Sequence, residues 1–270
     1  MRPGIEARLQ TNGDLLGEYP GQVGQAGNAG MGHPLIVSYY TPGTAYEEHA
    51  KQLKTSVDRL GLDSRIEPRQ AKASWVENCA QKALFIQEMR KSETRPILWL
   101  DADAILRRPL KELMNCEADF AAVRQDGWCT LGGQVYFGTG ANAEAMIERW
   151  CQYCRDYPYI WDQVSLGYAW WDMSLESDLK TLWLDESIIL ILKRKKFKRP
   201  FQLAFSRAAI THKQESRRSK MTQSAILPEF RNDMLPEWWK DAARRNAPFP
   251  IGQERLGELG LQGYPAITAA

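Results

Sequence analysis

The sequence predicts an α/β domain with a mixed, mainly parallel central sheet flanked by helices, on three observations. Between residues 34 and 100 the patterns run strand–helix–strand–helix–strand, which in one sheet calls for parallel strands and right-handed crossovers. The chain of 270 residues is 44% hydrophobic and 25% charged, enough for one sizeable core. The stretch "ILWL" (97–100) is apolar throughout and then runs into two acids, Asp101 and Asp103. Strands covered on both faces read this way, and ligands gather beyond their carboxyl ends.

Residues 1–33 are rich in glycine without periodicity and are expected to form an irregular arm. Order is expected from "HPLIVSYYT", with Leu35 to Val37 as a short buried strand. Tyr46, Ala50, Leu53, Val57 and Leu60 recur at the spacing of one helix face, and Gly61 follows as a stop. "DSRIEPR" reads as a second strand. A second helix is expected from Ser74, which forms a capping box with Glu77, to about Lys91; Val76, Ala80, Ala83 and Phe85 or Ile86 face inward. Ile97 to Leu100 form the third strand.

Beyond it, "DFAAV" and "GQVYFGTG" read as strands and "NAEAMIERWCQYCRDY" as a helix capped by Asn142. "LKTLWLD", "FQLAF" and "AAITH" read as further short strands. The domain is taken as 34–226, with 227–270 an irregular Pro-, Trp- and Arg-containing tail packed on it.

A net charge of +2 gives no bulk electrostatic case for nucleic acid or an anionic membrane. Five cysteines without an apolar leader favour reduced thiols and a cytoplasmic setting, and no apolar window reaches the ~18 residues of a membrane span. Cys151 and Cys154 lie in an apparent helix without a second pair, which gives zinc little support. The basic run Lys193 to Arg199 reads first as a solvated loop, with contact to a polyanionic acceptor as the alternative. Ten tryptophans suit cores or carbohydrate platforms, and Trp161, Trp170 and Trp171 cluster near "WDQVSLGYAWWDM".

Two carboxylates one residue apart repel, and burying them unpaired is costly, so a positive group is expected beside them. If strand geometry persists to Asp103, both acids share one face and form an oxygen site for Mg²⁺ or Mn²⁺. Such an ion holds a diphosphate.

"ILWLDADAILRRPLKEL" resembles the D-x-D segment of GT-A-fold glycosyltransferases, the nucleotide-diphospho-sugar transferases related to glycosyltransferase families 8 and 77. "GQVYFGTGANAEAMIERW", "WDQVSL" and "AAITHKQES" resemble later motifs of that family in the expected order, over about residues 34–218. The resemblance implies a GT-A (Rossmann-like) single domain that transfers a sugar from a nucleotide-diphospho-sugar, UDP-sugar first, with retention. The acceptor is left open as a glycan, a small molecule or a nucleic acid.

By the same resemblance Asp103 and His212 hold the metal and Asp101 reaches the donor's ribose or shares the metal, with Mn²⁺ preferred to Mg²⁺ because of the imidazole. Asp162 and Gln163 lie near the anomeric carbon. Gly138, Thr139 and Gly140 approach the sugar; Lys82 and Arg217 neutralise phosphate; Tyr39, Tyr40, Thr41 and Ala102 contact the nucleotide. From the residues alone, Tyr39 and Tyr40 are equally core residues and Asp162 equally a helix cap. The rival enzyme is a haloacid-dehalogenase-type phosphatase, whose D-x-D follows an apolar strand but on the first βα unit. A non-catalytic GT-A-like polyanion-binding module is the remaining alternative.

Overall fold

The computed structural model describes residues 32–72, 75–124, 130–156, 162–191 and 206–213. A six-stranded sheet has the order β2-β1-β3-β6-β5-β7, with β1 Leu35–Tyr40, β2 Ser64–Pro68, β3 Ile97–Leu100, β5 Phe120–Arg124, β6 Thr130–Phe137 and β7 Thr181–Leu184. β1 pairs in parallel with β2 and β3, and β5 in parallel with β7; β6 is antiparallel to both β3 and β5. The chain is thus a mixed α/β domain whose mainly parallel sheet is flanked by helices. The four residues of β3 are all buried, as a strand covered on both faces requires.

One face carries α2 (Trp75–Ser92), α3 (Ala141–Asp156) and α4 (Asp162–Glu176). Its core includes Val37, Ile86, Trp99, Phe120, Phe137 and Trp150. The other face carries α1 (Ala45–Asp58) and a second sheet of β4 (Ala104–Leu106), β9 (Ile210–His212) and β8 (Ile189–Ile191). There Ile36, Leu53, Val57, Leu98, Leu106, Tyr136 and Ile210 pack together.

The helical stripe holds where tested: Ala50, Leu53 and Val57 are buried on α1, whose N-cap Thr44 accepts from Tyr46 N. Gly61 stands at φ +66, the left-handed turn expected of a helix stop. On α2, Ala83, Phe85 and Ile86 are buried; Ser74 and the Val76 side chain lie outside the described residues. Asn142 does not cap α3. It lies inside the helix, and its amide donates to Asp119 Oδ2 and Asp178 O, tying α3 to the strand ends beneath it.

The small sheet was not anticipated. β4 follows Asp103 directly and pairs antiparallel with β9, setting Ala104 opposite His212. Ser56 anchors β4 to α1: its buried Oγ donates to Leu53 O at 2.7 Å and accepts from Leu106 N at 3.0 Å. "FQLAF", Arg217, the basic run 193–199, the tail 227–270 and the arm 1–31 lie outside the described residues.

Ser56→Ala leaves the Leu106 N–H buried without its acceptor, a loss of about 1–3 kcal/mol. Urea unfolding should show a lower midpoint with an unchanged slope; an unchanged midpoint would mean that β4 is held by other contacts.

Candidate active site

β3 ends at Leu100, and residues 101–104 turn, with Ala104 N donating to Asp101 O at 2.8 Å. The two acids therefore do not share a strand face, as the spacing suggested. The turn sends them to opposite sides of the sheet edge. Asp101 looks toward α2, where Oδ1 accepts from Trp99 Nε1 at 2.8 Å and pairs with Lys82 Nζ at 3.0 Å. Asp103 looks toward the small sheet, where Oδ1 lies 3.5 Å from His212 Nδ1.

Lys82 is the positive group that the acid pair called for. It is buried on α2, and its Nζ meets Asp101 Oδ1 at 3.0 Å, Asp162 Oδ2 at 2.8 Å and Gly132 O at 2.9 Å. Its Nζ donates one hydrogen bond, to Gly132 O, and forms an ion pair with each carboxylate. Burial alone would push its pKa down, but Asp101 and Asp162 outweigh that and hold it well above the ordinary lysine value. Burial pushes the Asp162 carboxyl above its usual range, against the pull of Lys82 and with the push of Asp101. Lys82 is therefore occupied by protein acids rather than held out for phosphate.

Asp162 opens α4 and is 4% exposed. Its backbone oxygen accepts from Trp150 Nε1 at 2.9 Å, so Trp99 and Trp150 each brace one acid of the site. Trp170 is core: it is buried, donates to Thr181 Oγ1 at 2.9 Å and meets Trp183 edge-on at 5.0 Å. It offers no sugar platform; Trp161 and the Trp171 side chain lie outside the described residues.

Gly132 and Gly133, which sequence reasoning did not single out, sit at the centre. A Cβ at residue 133 would lie 3.0 Å from His212 Cε1 and 3.3 Å from Asp101 Oδ2. One at residue 132 would lie 3.7 Å from both Asp162 Oδ2 and Gln163 Cβ. Their signal was a glycine pair at the start of a strand facing β3.

The expected trio Gly138, Thr139 and Gly140 is at the other end of β6. Because β6 is antiparallel to β3, Gln134 faces Leu100 beside the site, whereas Phe137 faces Ile97 at the far edge. Gly138 is needed there for packing, since a Cβ would come within 2.4 Å of Ala118 O.

A cleft of about 290 Å³ opens beyond the carboxyl ends of β1 and β3. Tyr39, Tyr40, Thr41, Lys82, Asp101, Ala102 and Asp103 all line it. Tyr39 is braced against Phe85 (5.6 Å) and Trp99 (5.3 Å), and its hydroxyl donates to Asn78 O. It therefore acts as a fixed wall. Asp101 and Asp103 come from the turn after β3 and His212 from β9; Asp101 Oδ2 and His212 lie beside Gly133, and Asp103 beside His212. They are neighbours rather than a closed cage: among the described residues no three His, Cys, Asp or Glu form a ready-made metal-holding group. Cys151 and Cys154 are buried on α3 with thiols pushed up by burial, Cys151 to about 12, which removes them from thiolate chemistry at neutral pH. No helix among the described residues is long and apolar enough to cross a membrane.

No protein-family model matches the chain, and no curated protein matches it. Solved structures do. A glycosyltransferase involved in the glycosylation of the major capsid of PBCV-1 aligns with 67% of this chain and 93% of its own, at 12% identity and a TM-score of 0.52. GlyE, a glycosyltransferase of Streptococcus pneumoniae TIGR4, aligns with 67% of this chain at 14% identity and a TM-score of 0.43. This chain spans 54% of the GlyE chain. At these identities the first likeness establishes a shared fold.

Lys82→Met leaves two acids facing each other around a buried apolar side chain, and should cost about 3–5 kcal/mol. Asp162→Asn added to it should return part of that loss, a coupling of roughly 0.5–3 kcal/mol in a double-mutant cycle of thermal unfolding. Because the folded-state pKa of Lys82 is raised, its contribution is complete below the ordinary lysine value and is lost as pH rises through the raised one. Alkaline destabilisation should therefore be weaker in Lys82→Met; equal alkaline profiles would refute a charged Lys82.

Proposed function

We propose that the chain is a metal-dependent glycosyltransferase of the GT-A kind, transferring a sugar from a nucleotide-diphospho-sugar, UDP-sugar first, with retention. The observation that carries this reading is that Asp101 Oδ2 and His212 lie beside the side-chain-free Gly133, with Asp103 next to His212 and both acids lining the cleft. The shared fold and the resemblance to families 8 and 77 point the same way.

The donor set suits a divalent ion. Asp101 spends Oδ1 on Lys82 and Trp99, which leaves Oδ2 toward Gly133 and His212. Two carboxylates and one imidazole favour Mn²⁺ over Mg²⁺. The absent Cβ of Gly133 keeps the space between them free of carbon. When bound, the ion would offset the charge that grows on the departing diphosphate.

The remaining work falls to the chain itself. Tyr40, Thr41 and the braced Tyr39 line the cleft in which the nucleoside would lie. Lys82 pairs with Asp101 and Asp162 and holds them at a fixed separation, so neither side chain must reorganise during reaction. Asp162, with Gln163 beside Gly132, offers a negative oxygen to a sugar becoming oxocarbenium-like. The phosphatase reading gains nothing from the geometry, because Asp101 follows the third strand and its Oδ1 is engaged.

Incubation with a panel of nucleotide sugars and Mn²⁺ should release nucleoside diphosphate. EDTA should stop the release and added Mn²⁺ should restore it. Asp103→Ala should lower kcat/KM by roughly 100-fold or more. Release untouched by EDTA, or inorganic phosphate released from a phosphomonoester instead, would overturn the assignment.

A further inference from the structure

Gln134 is 2% exposed on β6, opposite Leu100 at the edge where the acids begin. Its Nε2 donates to Leu131 O at 3.2 Å, which commits the NH₂ end of the amide and turns Oε1 toward His212 Nε2 at 3.0 Å. A carbonyl oxygen has no proton to give, so the imidazole nitrogen is the donor in this bond. The lone pair of a neutral ring then falls on Nδ1, which faces Asp103 Oδ1 at 3.5 Å. Nδ1 and Asp103 Oδ1 thus face each other between side chains only 10% and 8% exposed, where a cation would meet both.

We propose that Gln134 is the positioning residue for His212: it holds the ring in the Nε2–H tautomer and presents Nδ1, beside Asp103, as the nitrogen that takes a divalent cation. Imidazoles that bind metals are commonly set this way, by a partner that accepts the other ring N–H. The cation half of the proposal rests on the metal-dependent reading above; the tautomer half rests on the hydrogen bonds alone. Gly133 serves the same arrangement, because any Cβ there would press on the ring at Cε1.

The chain has three histidines, so its imidazole nitrogens can be followed individually by ¹⁵N NMR. In the metal-free protein the neutral ring of His212 should carry its proton on Nε2 and leave Nδ1 bare. Gln134→Leu should release that preference. Gln134→Glu should keep it, since a carboxylate oxygen facing Nε2 accepts as Oε1 does. Mn²⁺ alone, titrated by loss of the free-ion EPR signal, should bind roughly 10–100-fold more weakly to Gln134→Leu. Gln134→Glu should bind close to wild type. If Gln134→Leu fails to fold, Gln134→Met, unbranched and of similar length, takes its place. A proton on Nδ1 in wild type, or unchanged tautomer and Mn²⁺ affinity in the folded apolar variant, overturns the proposal. A wild-type chain with the expected tautomer but no Mn²⁺ uptake overturns the cation half together with the metal-dependent reading, and leaves the Gln134–His212 assignment standing.

Discussion

One buried ammonium organises the sheet edge. Lys82 reaches from α2 across the end of β3 and binds an acid from the β3 turn, an acid from the start of α4 and a carbonyl from β6. Without a cation there, Asp101 and Asp162 would repel in a region with little water, and one of them would take up a proton or move outward. Pairing with both acids fixes which oxygen of Asp101 remains for other partners. The side of the site that faces α2 therefore follows from a single charge.

The other side is built on the second sheet. β4 starts one residue after Asp103, pairs with β9, and so brings His212 to the acid from more than a hundred residues away in sequence. Ser56 and the apolar contacts of Leu106 and Ile210 keep that sheet against α1. The two halves meet at Gly132 and Gly133, where the lack of side chains lets Lys82, Asp162, Asp101 and His212 approach one another. Large residues elsewhere serve this arrangement; Trp99 and Trp150 are core side chains whose one donor each is aimed at a site acid.

Much of the fold could be read from the sequence because α1 and β3 follow simple periods, and the apolar run into Asp101 marked the end of a buried strand. His212 was reached through the order of motifs rather than through its own surroundings. What escaped reading has physical reasons. β4 and β8 are three residues each, too short to show alternation. The two glycine clusters of "LGGQVYFGTG" look alike in one dimension, and only the antiparallel direction of β6 decides that Gly132 and Gly133 are at the site and Gly138 to Gly140 at the far edge. Lys82 was placed but given phosphate as its partner, since a helix position does not announce two acids from other segments. Gln134 carried a signal, a lone amide among buried strand residues, whose meaning depended on where His212 came to lie.

The most direct test of this organisation is a crystal of the Mn²⁺-soaked protein examined by anomalous diffraction at the manganese edge. The account predicts one strong peak beside Gly133, touched by Asp101 Oδ2, Asp103 and His212 Nδ1, with Lys82 still on Asp101 Oδ1 and Asp162. A peak elsewhere, or Lys82 swung out with Asp101 and Asp162 parted, would contradict it.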